Sequence, residues 1–169
     1  MINKYLRLAS VLLAMSTLTA CANKPFEPVP EGYTGPVADI TDTIDNQTGT
    51  SAYMYVVYQV DYKPVANSIA ASLNKSYGNG AILTSELISR QVPIEKIALS
   101  VMAKKVYAAP VGSWISENPV PVQGKFTFTP QAGHSYSVKG VLGMESSVVQ
   151  LVDDIDGTII AEAKATAAD

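Results

Sequence analysis

The segment Ala52–Val60 constrains the possible folds of this chain more than any other feature. Its residues, AYMYVVYQV, are mostly aromatic or β-branched and carry no charge. Residues of these types are enriched in β-strands, and the turn residues of Asp61–Pro64 follow directly. An uncharged run of this length, bounded by a turn, predicts a strand that is buried on both faces.

Further segments within Val37–Ala161 predict strands, with turn residues between them. A weak alternation over residues 38–44 is interrupted by Asp42. Phe126 and Phe128 alternate with polar residues, which predicts a strand with one face toward the core. The predicted strands after residue 80, one of which contains Phe126 and Phe128, cover residues 81–87, 94–107, 122–129, 135–144, 147–153 and 158–161.

About seven or eight short strands separated by turns predict a mainly β protein, either an antiparallel β-sandwich or a small barrel, and we favour the sandwich. One short helix is predicted over Ala66–Tyr77, where Asn67 is placed to cap it. A single helical turn is predicted around Trp114, in a segment too rich in proline and serine for a strand. The apolar residues expected on one face of the longer helix are Ile69, Ala70 and Leu73.

The N-terminus has the organisation of an export signal. A basic segment with Lys4 and Arg7 precedes the uncharged run Leu8–Ala20. This run is too short to span a bilayer about 30 Å thick, and it predicts a signal peptide over residues 1–20.

The residues LTAC at positions 18–21 end this signal, and they resemble the lipobox of bacterial lipoproteins. The resemblance implies cleavage between Ala20 and Cys21 and attachment of lipid to the Cys21 thiol. Several acyl chains, at about 0.8 kcal/mol per buried CH₂, would hold the protein permanently on a membrane. The alternative is an ordinary signal peptide with an unrelated or buried cysteine, which leaves the chain's single cysteine unexplained.

The residue after the cysteine, Ala22, bears on the destination. An aspartate there favours inner-membrane retention in enterobacterial lipoproteins, so by this resemblance we expect the outer membrane, with the protein facing the periplasm. Exposure at the cell surface stays open. Residues 21–36 are rich in proline and predict an extended tether, unless Phe26 and Tyr33 pack on the domain. Residues 37–161 are predicted as the domain and residues 162–169 as a frayed tail.

The β-domain carries four motifs of strand and turn residues. They are Arg90–Pro93, Tyr107–Pro110, Gly124–Pro130 and Gly133–Leu142. Together they are similar to a family of uncharacterised proteobacterial outer-membrane lipoproteins, over residues 35–160. The resemblance implies a sandwich of immunoglobulin or transthyretin type, but it implies no activity and assigns no functional residue.

Composition argues against several function classes. The net charge is −3 and the basic residues are not clustered, so nucleic-acid binding is not expected. Because the chain has only one cysteine and one histidine, it cannot form an internal disulfide, a zinc site of several cysteines or a metal centre of several histidines. We therefore expect no metal and no other cofactor, and we predict no catalytic residue.

Two polar segments have alternative interpretations. His134 could serve a hydrolase with a nearby serine and aspartate, but it lies in a predicted turn without a nucleophile motif. Residues 153–157, DDIDG, contain part of a calcium-loop pattern, but the twelfth position counted from Asp154 is Ala165, which has no side-chain oxygen. The partners considered for the histidine are Ser135, Ser137, Asp154 and Asp156.

Tyr53 and Tyr55 share one face of the predicted central strand and are the candidate binding residues. Exposed tyrosines on a sheet can stack on sugars or anchor a protein partner. The alternative is that both are half-buried on a sheet face, where tyrosine is common.

These features predict a lipid-anchored envelope protein without enzymatic activity, which serves as a structural or protein-binding module at the outer membrane. Exposed strand edges and loops would contact a partner, as in strand addition. One alternative is a lipoprotein component of a type VI-like secretion machine. Val57–Val60 match the strand motif of that lipoprotein family only weakly. Another is a cell-wall hydrolase, which the shortage of histidine and cysteine disfavours.

Overall fold

The fold is seen in a computed structural model that describes residues 24–167. The predicted signal peptide and Cys21 lie outside this range. In chain order the elements are β1 (Val37–Thr41), β2 (Thr43–Asp45), β3 (Ser51–Val60), β4 (Lys63–Pro64), α1 (Ser68–Ser76), β5 (Ser89–Pro93), β6 (Ile97–Tyr107), α2 (Gly112–Ile115), β7 (Val122–Phe128), β8 (Ser135–Leu142), β9 (Ser146–Asp153) and β10 (Ile159–Thr166).

The strands form two sheets that pack face to face, so the predicted β-sandwich is confirmed. The first sheet has the strand order β10-β9-β8-β1-β5, and the second has the order β2-β3-β6-β7 with β4 paired to β3. Neighbouring strands pair antiparallel, except that β1 and β8 pair parallel from Asp39↔Ser135 to Thr41↔Ser137. The sequence did not predict this parallel pair, because strand patterns carry no information about strand order.

Most of the core lies between the two sheets. Ile40 and Leu151 of the first sheet join Tyr55 and Leu99 of the second in one buried cluster. A second cluster covers the other face of β3, and its buried members are Ala52, Met54, Val56, Ile69, Leu83 and Val106. β3 is therefore covered on both faces, as predicted for Ala52–Val60.

β7 has the predicted alternation. Phe126 is buried, and Phe128 packs partly buried against the same core. The Phe128 ring meets the ring of Tyr136 edge to face, with 5.2 Å between centroids. The two phenylalanines thus hold β7 against the first sheet.

Both ends of the described chain pack on the domain. The predicted frayed tail is wrong for residues 162–166, because β10 continues to Thr166 and pairs with β9. At the other end, Phe26 packs against the core, and its N–H donates to the Pro64 carbonyl at 2.9 Å. The packed alternative therefore holds for Phe26, whereas Tyr33 is exposed.

The predicted strand over residues 81–87 is wrong, because this segment pairs with no strand within residues 24–167. Instead, alternate N–H groups of Thr84–Ile88 donate to serine hydroxyls on one face of α1. Four helical residues advance about 6 Å and two extended residues about 6.6 Å, so the two spacings match. The three hydrogen bonds, each 2.8 Å long, join Ser76 to Thr84, Ser72 to Glu86 and Ser68 to Ile88.

The helix itself confirms the predicted cap but not the predicted face. The Asn67 side chain accepts a hydrogen bond from the Ala70 N–H at 3.0 Å, as an N-cap does. Ile69 is buried, whereas Ala70 and Leu73 are exposed. The face turned toward the protein is instead lined by the three serines.

Asp42 lies where the chain crosses from β1 in the first sheet to β2 in the second, and it is completely buried. Its carboxylate accepts N–H groups from Val57 at 3.0 Å and Ser68 at 2.8 Å. It also pairs at 2.7 Å with the Arg90 guanidinium, which donates in addition to the Ala66 carbonyl. Burial raises the pKa of Asp42, although Arg90 acts in the opposite direction. This one carboxylate joins both sheets and the start of α1.

Candidate functional site

The two ends of the sandwich differ, and β3 spans the distance between them. Its last residue, Val60, leads into a turn beside Phe26, near the first described residue, Lys24. Its first residue, Ser51, pairs with Tyr107 at the opposite end. A strand of ten residues, at about 3.3 Å per residue, separates the ends by roughly 30 Å. We call the Ser51 end the distal end.

The connection between β6 and β7 forms much of the distal end, and local contacts fix its shape. The Tyr107 hydroxyl donates to Asn118 Oδ1 at 2.8 Å. Asn118 Nδ2 donates to the carbonyls of Ser113 at 2.9 Å and Ser116 at 3.0 Å. Gly112 lies against the Tyr107 ring, because a Cβ there would lie only 2.6 Å from a ring carbon. These contacts hold α2 and its neighbours in one arrangement.

Several large apolar side chains are exposed at this end, and we call them the distal surface. Tyr77 follows α1 and is 91% exposed, and Trp114 lies in α2 and is 81% exposed. Isolated exposed apolar residues are ordinary, but a group of them indicates a binding surface. The members of the distal surface are Leu73, Tyr77, Ile82, Val111 and Trp114.

Three concavities adjoin the distal surface and share Tyr107 as a lining residue. The largest of the three, about 720 Å³, lies between the end of α1 and residues 107–110. A second, about 190 Å³, is lined by Lys104 and Lys105 together with Leu73. The Lys105 Nζ lies 5.0 Å from the centre of the Tyr107 ring. The surface therefore combines aromatic rings, grooves and positive charge.

The structure places the predicted binding tyrosines on the inner face of β3. Tyr55 is 2% exposed and belongs to the main core, and Tyr53 packs partly buried against that core. Burial and the negative charge of Asp45 raise the pKa of Tyr55 to about 12. The Tyr55 ring is closed to a partner, which matches the alternative that sheet tyrosines are structural.

His134 makes a different pair from those considered in the sequence. Its Nδ1 lies 2.7 Å from Oδ2 of the buried Asp153, an acid that was not among the partners considered. Ser137 donates to Asp154 at 2.5 Å, and Lys139 pairs with the same carboxylate at 2.7 Å. Within residues 24–167, no serine hydroxyl hydrogen-bonds His134, and no cluster of His, Cys, Asp and Glu could hold a metal ion.

A further concavity of about 810 Å³ lies beside β5, with Arg90 in its lining along with Lys24, Glu27 and Glu31. The Arg90 Nη2 is held by the buried ion pair, and Nε and Nη1 have no partner within the described part of the chain. Those two nitrogens are also closed to solvent. A ligand in the concavity would not reach them, so we do not assign a site here.

Sequence reasoning missed the distal surface. Two signals pointed to it: the only tryptophan, Trp114, lies in a segment that does not form a strand, and Tyr77 directly precedes a Gly-Asn-Gly turn. Large aromatic residues in loops have no sheet face to pack on. Their exposure depends on the neighbouring elements, which the sequence pattern does not place.

The predicted cleavage and lipidation positions, Ala20 and Cys21, lie outside the described residues. Among the helices of residues 24–167, none is long and apolar enough to cross a membrane. Comparisons with models of protein families, with curated proteins and with solved structures found no match. The resemblance to outer-membrane lipoproteins therefore stays a prediction.

Proposed function

We propose that this chain is a lipid-anchored protein of the bacterial outer membrane, without enzymatic activity, that binds a periplasmic protein partner through the distal surface. The observation that carries the proposal is the position of that surface. It lies at the Ser51 end of β3, roughly 30 Å from the Val60 end, and Lys24 is beside the Val60 end. Two residues separate Lys24 from Cys21. A lipid on Cys21 would therefore hold the Val60 end at the membrane and direct the distal surface away from it.

The chemistry of the distal surface indicates the kind of partner. Exposed tryptophan and tyrosine beside grooves are typical of residues that dominate binding energy in protein interfaces. Lys104 and Lys105 line one of the grooves. An apolar segment of a partner that also carries acidic residues would match both properties.

The surroundings of His134 support the non-enzymatic part of the proposal. Its Nδ1 is occupied by Asp153, and the hydroxyl of Ser137 is engaged by Asp154. The pair thus resembles a structural contact that closes the turn before β8. If purified protein hydrolyses peptidoglycan or an ester and His134→Ala abolishes that activity, this part of the proposal is wrong.

Photo-crosslinking in living cells tests the binding surface. A crosslinking amino acid at Tyr77 should give one product of defined mass, whereas the same amino acid at Ile155 serves as the control. Ile155 is 64% exposed in the loop after Asp153, and Asp153 pairs with Tyr136, whose ring packs on Phe128 near the Val60 end. Adding Trp114→Ser should reduce the Tyr77 product, because it removes an adjoining part of the interface. Equal products from both positions, or no effect of Trp114→Ser, would contradict the proposal.

Replacement of the cysteine tests the anchor. Cys21→Ser should leave the precursor uncleaved and without labelled fatty acid, because the thiol is the acceptor of the lipid. The measurement is metabolic labelling with a fatty acid, followed by membrane fractionation. Normal labelling of Cys21→Ser would show that lipid is not attached at this position.

A further inference from the structure

The turn between β3 and β4 has a backbone conformation that bulky residues rarely adopt. Asp61 and Tyr62 both have positive φ, +48° and +63°. Asp61 fixes this turn to β6, since its N–H donates to the Ala98 carbonyl at 2.8 Å and its Oδ1 accepts from the Ala98 N–H at 2.9 Å. The Tyr62 side chain is 73% exposed. The fold thus holds an aromatic ring outward at the Val60 end, and strained residues of this kind are common at functional sites.

A concavity of about 480 Å³ lies beside the turn, and both of its charged lining residues are lysines, Lys24 and Lys63. Lys63 Nζ lies 4.4 Å from the centre of the Phe26 ring, which forms part of the apolar lining. The hydrogen bond from the Phe26 N–H to Pro64 keeps the N-terminal segment in place. Two ammonium groups above an apolar wall fit the phosphate and glycerol region of a phospholipid.

We propose that this face, formed by Tyr62 and the concavity of Lys24 and Lys63, lies on the phospholipid bilayer that holds the acyl chains of Cys21. The inference rests on the proposed lipid anchor and adds to it a second, non-covalent contact that sets the orientation of the domain. Chain length carries the argument, because three residue steps from Cys21 to Lys24 span at most about 10 Å. An acylated Cys21 therefore brings the concavity to the headgroup layer, where tyrosine is enriched.

The position of the tryptophan provides the test. The native chain has one tryptophan, Trp114, at the distal surface. In a Tyr62→Trp, Trp114→Phe variant the only tryptophan lies in the turn. The mature chain beginning at Cys21 is coupled through its single thiol to maleimide lipids in vesicles that contain brominated phosphatidylcholine, with or without phosphatidylglycerol. Attachment to these vesicles does not depend on acylation in the cell.

We expect the brominated lipid to quench the tryptophan of the Tyr62→Trp variant and to shift its emission to shorter wavelength, and to leave Trp114 unquenched in the native chain. On anionic vesicles, Lys24→Glu and Lys63→Glu should each lower the equilibrium constant for the quenched state by about 30-fold, because each substitution changes the charge by two. Lys75→Glu is the matched control, because Lys75 is exposed in the last turn of α1, away from the Val60 end, and should have no effect. No quenching in the turn, or equal quenching at both positions, overturns the proposal.

Two further measurements separate the possible failures. The mass of the N-terminal peptide from membrane-extracted protein shows whether Cys21 is acylated. An unlipidated Cys21 would refute the proposed anchor, but the vesicle test would still decide whether the face binds lipid. Hydrogen exchange of residues 61–65 in the native chain, on vesicles and in solution, needs no substitution in the turn. Protection on vesicles is expected, and unchanged exchange overturns the proposal even if the Tyr62→Trp variant does not fold.

Discussion

Loss of the Asp42 charge should destabilise this protein more than loss of any exposed charge. Asp42→Asn keeps the shape of the side chain but places an amide NH₂ group among three donors, from Val57, Ser68 and Arg90. The Arg90 side chain is 5% exposed, so its charge would remain buried without a counterion. Breaking a buried ion pair from one side reduces the free energy of unfolding by about 3–5 kcal/mol, and we expect a loss in this range.

The opposite change should behave differently with pH. Arg90→Met removes the group that lowers the pKa of Asp42, whereas the burial that raises that pKa remains. The pKa of Asp42 is already raised in the native fold, so the folded variant would hold this proton still more tightly relative to the unfolded chain. Its stability should be highest in acid and should fall as the pH rises through the folded pKa of Asp42. The double variant Asp42→Asn, Arg90→Met should lose less than the two single losses added together, because no buried charge remains.

Guanidinium unfolding followed by circular dichroism measures these differences. The control is Glu86→Gln, which breaks the exposed pair between Lys75 and Glu86, whose side chains are 52% and 40% exposed. An exposed pair contributes about 0–1 kcal/mol, so the control should change little. If Asp42→Asn costs no more than Glu86→Gln, or if the two single losses simply add, our account of the buried pair is wrong.

Three further predictions concern the interior. Ser72→Ala should reduce stability by about 1–3 kcal/mol and speed hydrogen exchange at the Glu86 amide, because the acceptor of that N–H is lost; unchanged exchange would contradict the role of the hydroxyl. Tyr55, with its pKa raised to about 12, should contribute stability that is complete below pH 10 and is lost between pH 10 and 12, and Tyr55→Phe should remove this alkaline loss in a pH series of unfolding curves. Gly140→Ala should destabilise the fold by about 1–3 kcal/mol in the same unfolding assay, since its Cβ would collide with the Val148 carbonyl and touch the Tyr55 ring; a neutral effect would mean that β8 and β9 can separate at that point.

Strands were predictable where their residues pack on other strands. β3, β6 and β7 follow from β-branched and aromatic patterns, because the same residues form the observed core. β5 was not predicted, since Arg90 and Gln91 interrupt its apolar pattern. The arginine is buried only because Asp42, a distant residue in sequence, neutralises it. Local patterns cannot anticipate such a long-range pair, and Asp42 itself appeared only as an interruption of the first strand.

The candidate site was less predictable than the fold. Tyr53 and Tyr55 were chosen because a strand face of tyrosines can bind, but the first sheet covers that face. The distal surface was missed because its members come from three separate segments, which only the folded chain brings together. The predicted anchor at Cys21 stays a prediction, and it depends on consecutive residues alone rather than on the fold.

Residues 84–88 donate hydrogen bonds to serines of α1 instead of pairing with a strand, and these hydrogen bonds also help to form the candidate site. Ser68, Ser72 and Ser76 turn toward the protein because they hold the extended segment. Leu73 lies one turn beyond the buried Ile69, at the edge of this face, and it stays 40% exposed. There it lines the concavities between α1 and Tyr107. A helix that packed through apolar residues would have buried Leu73, and the distal surface would have lost one wall.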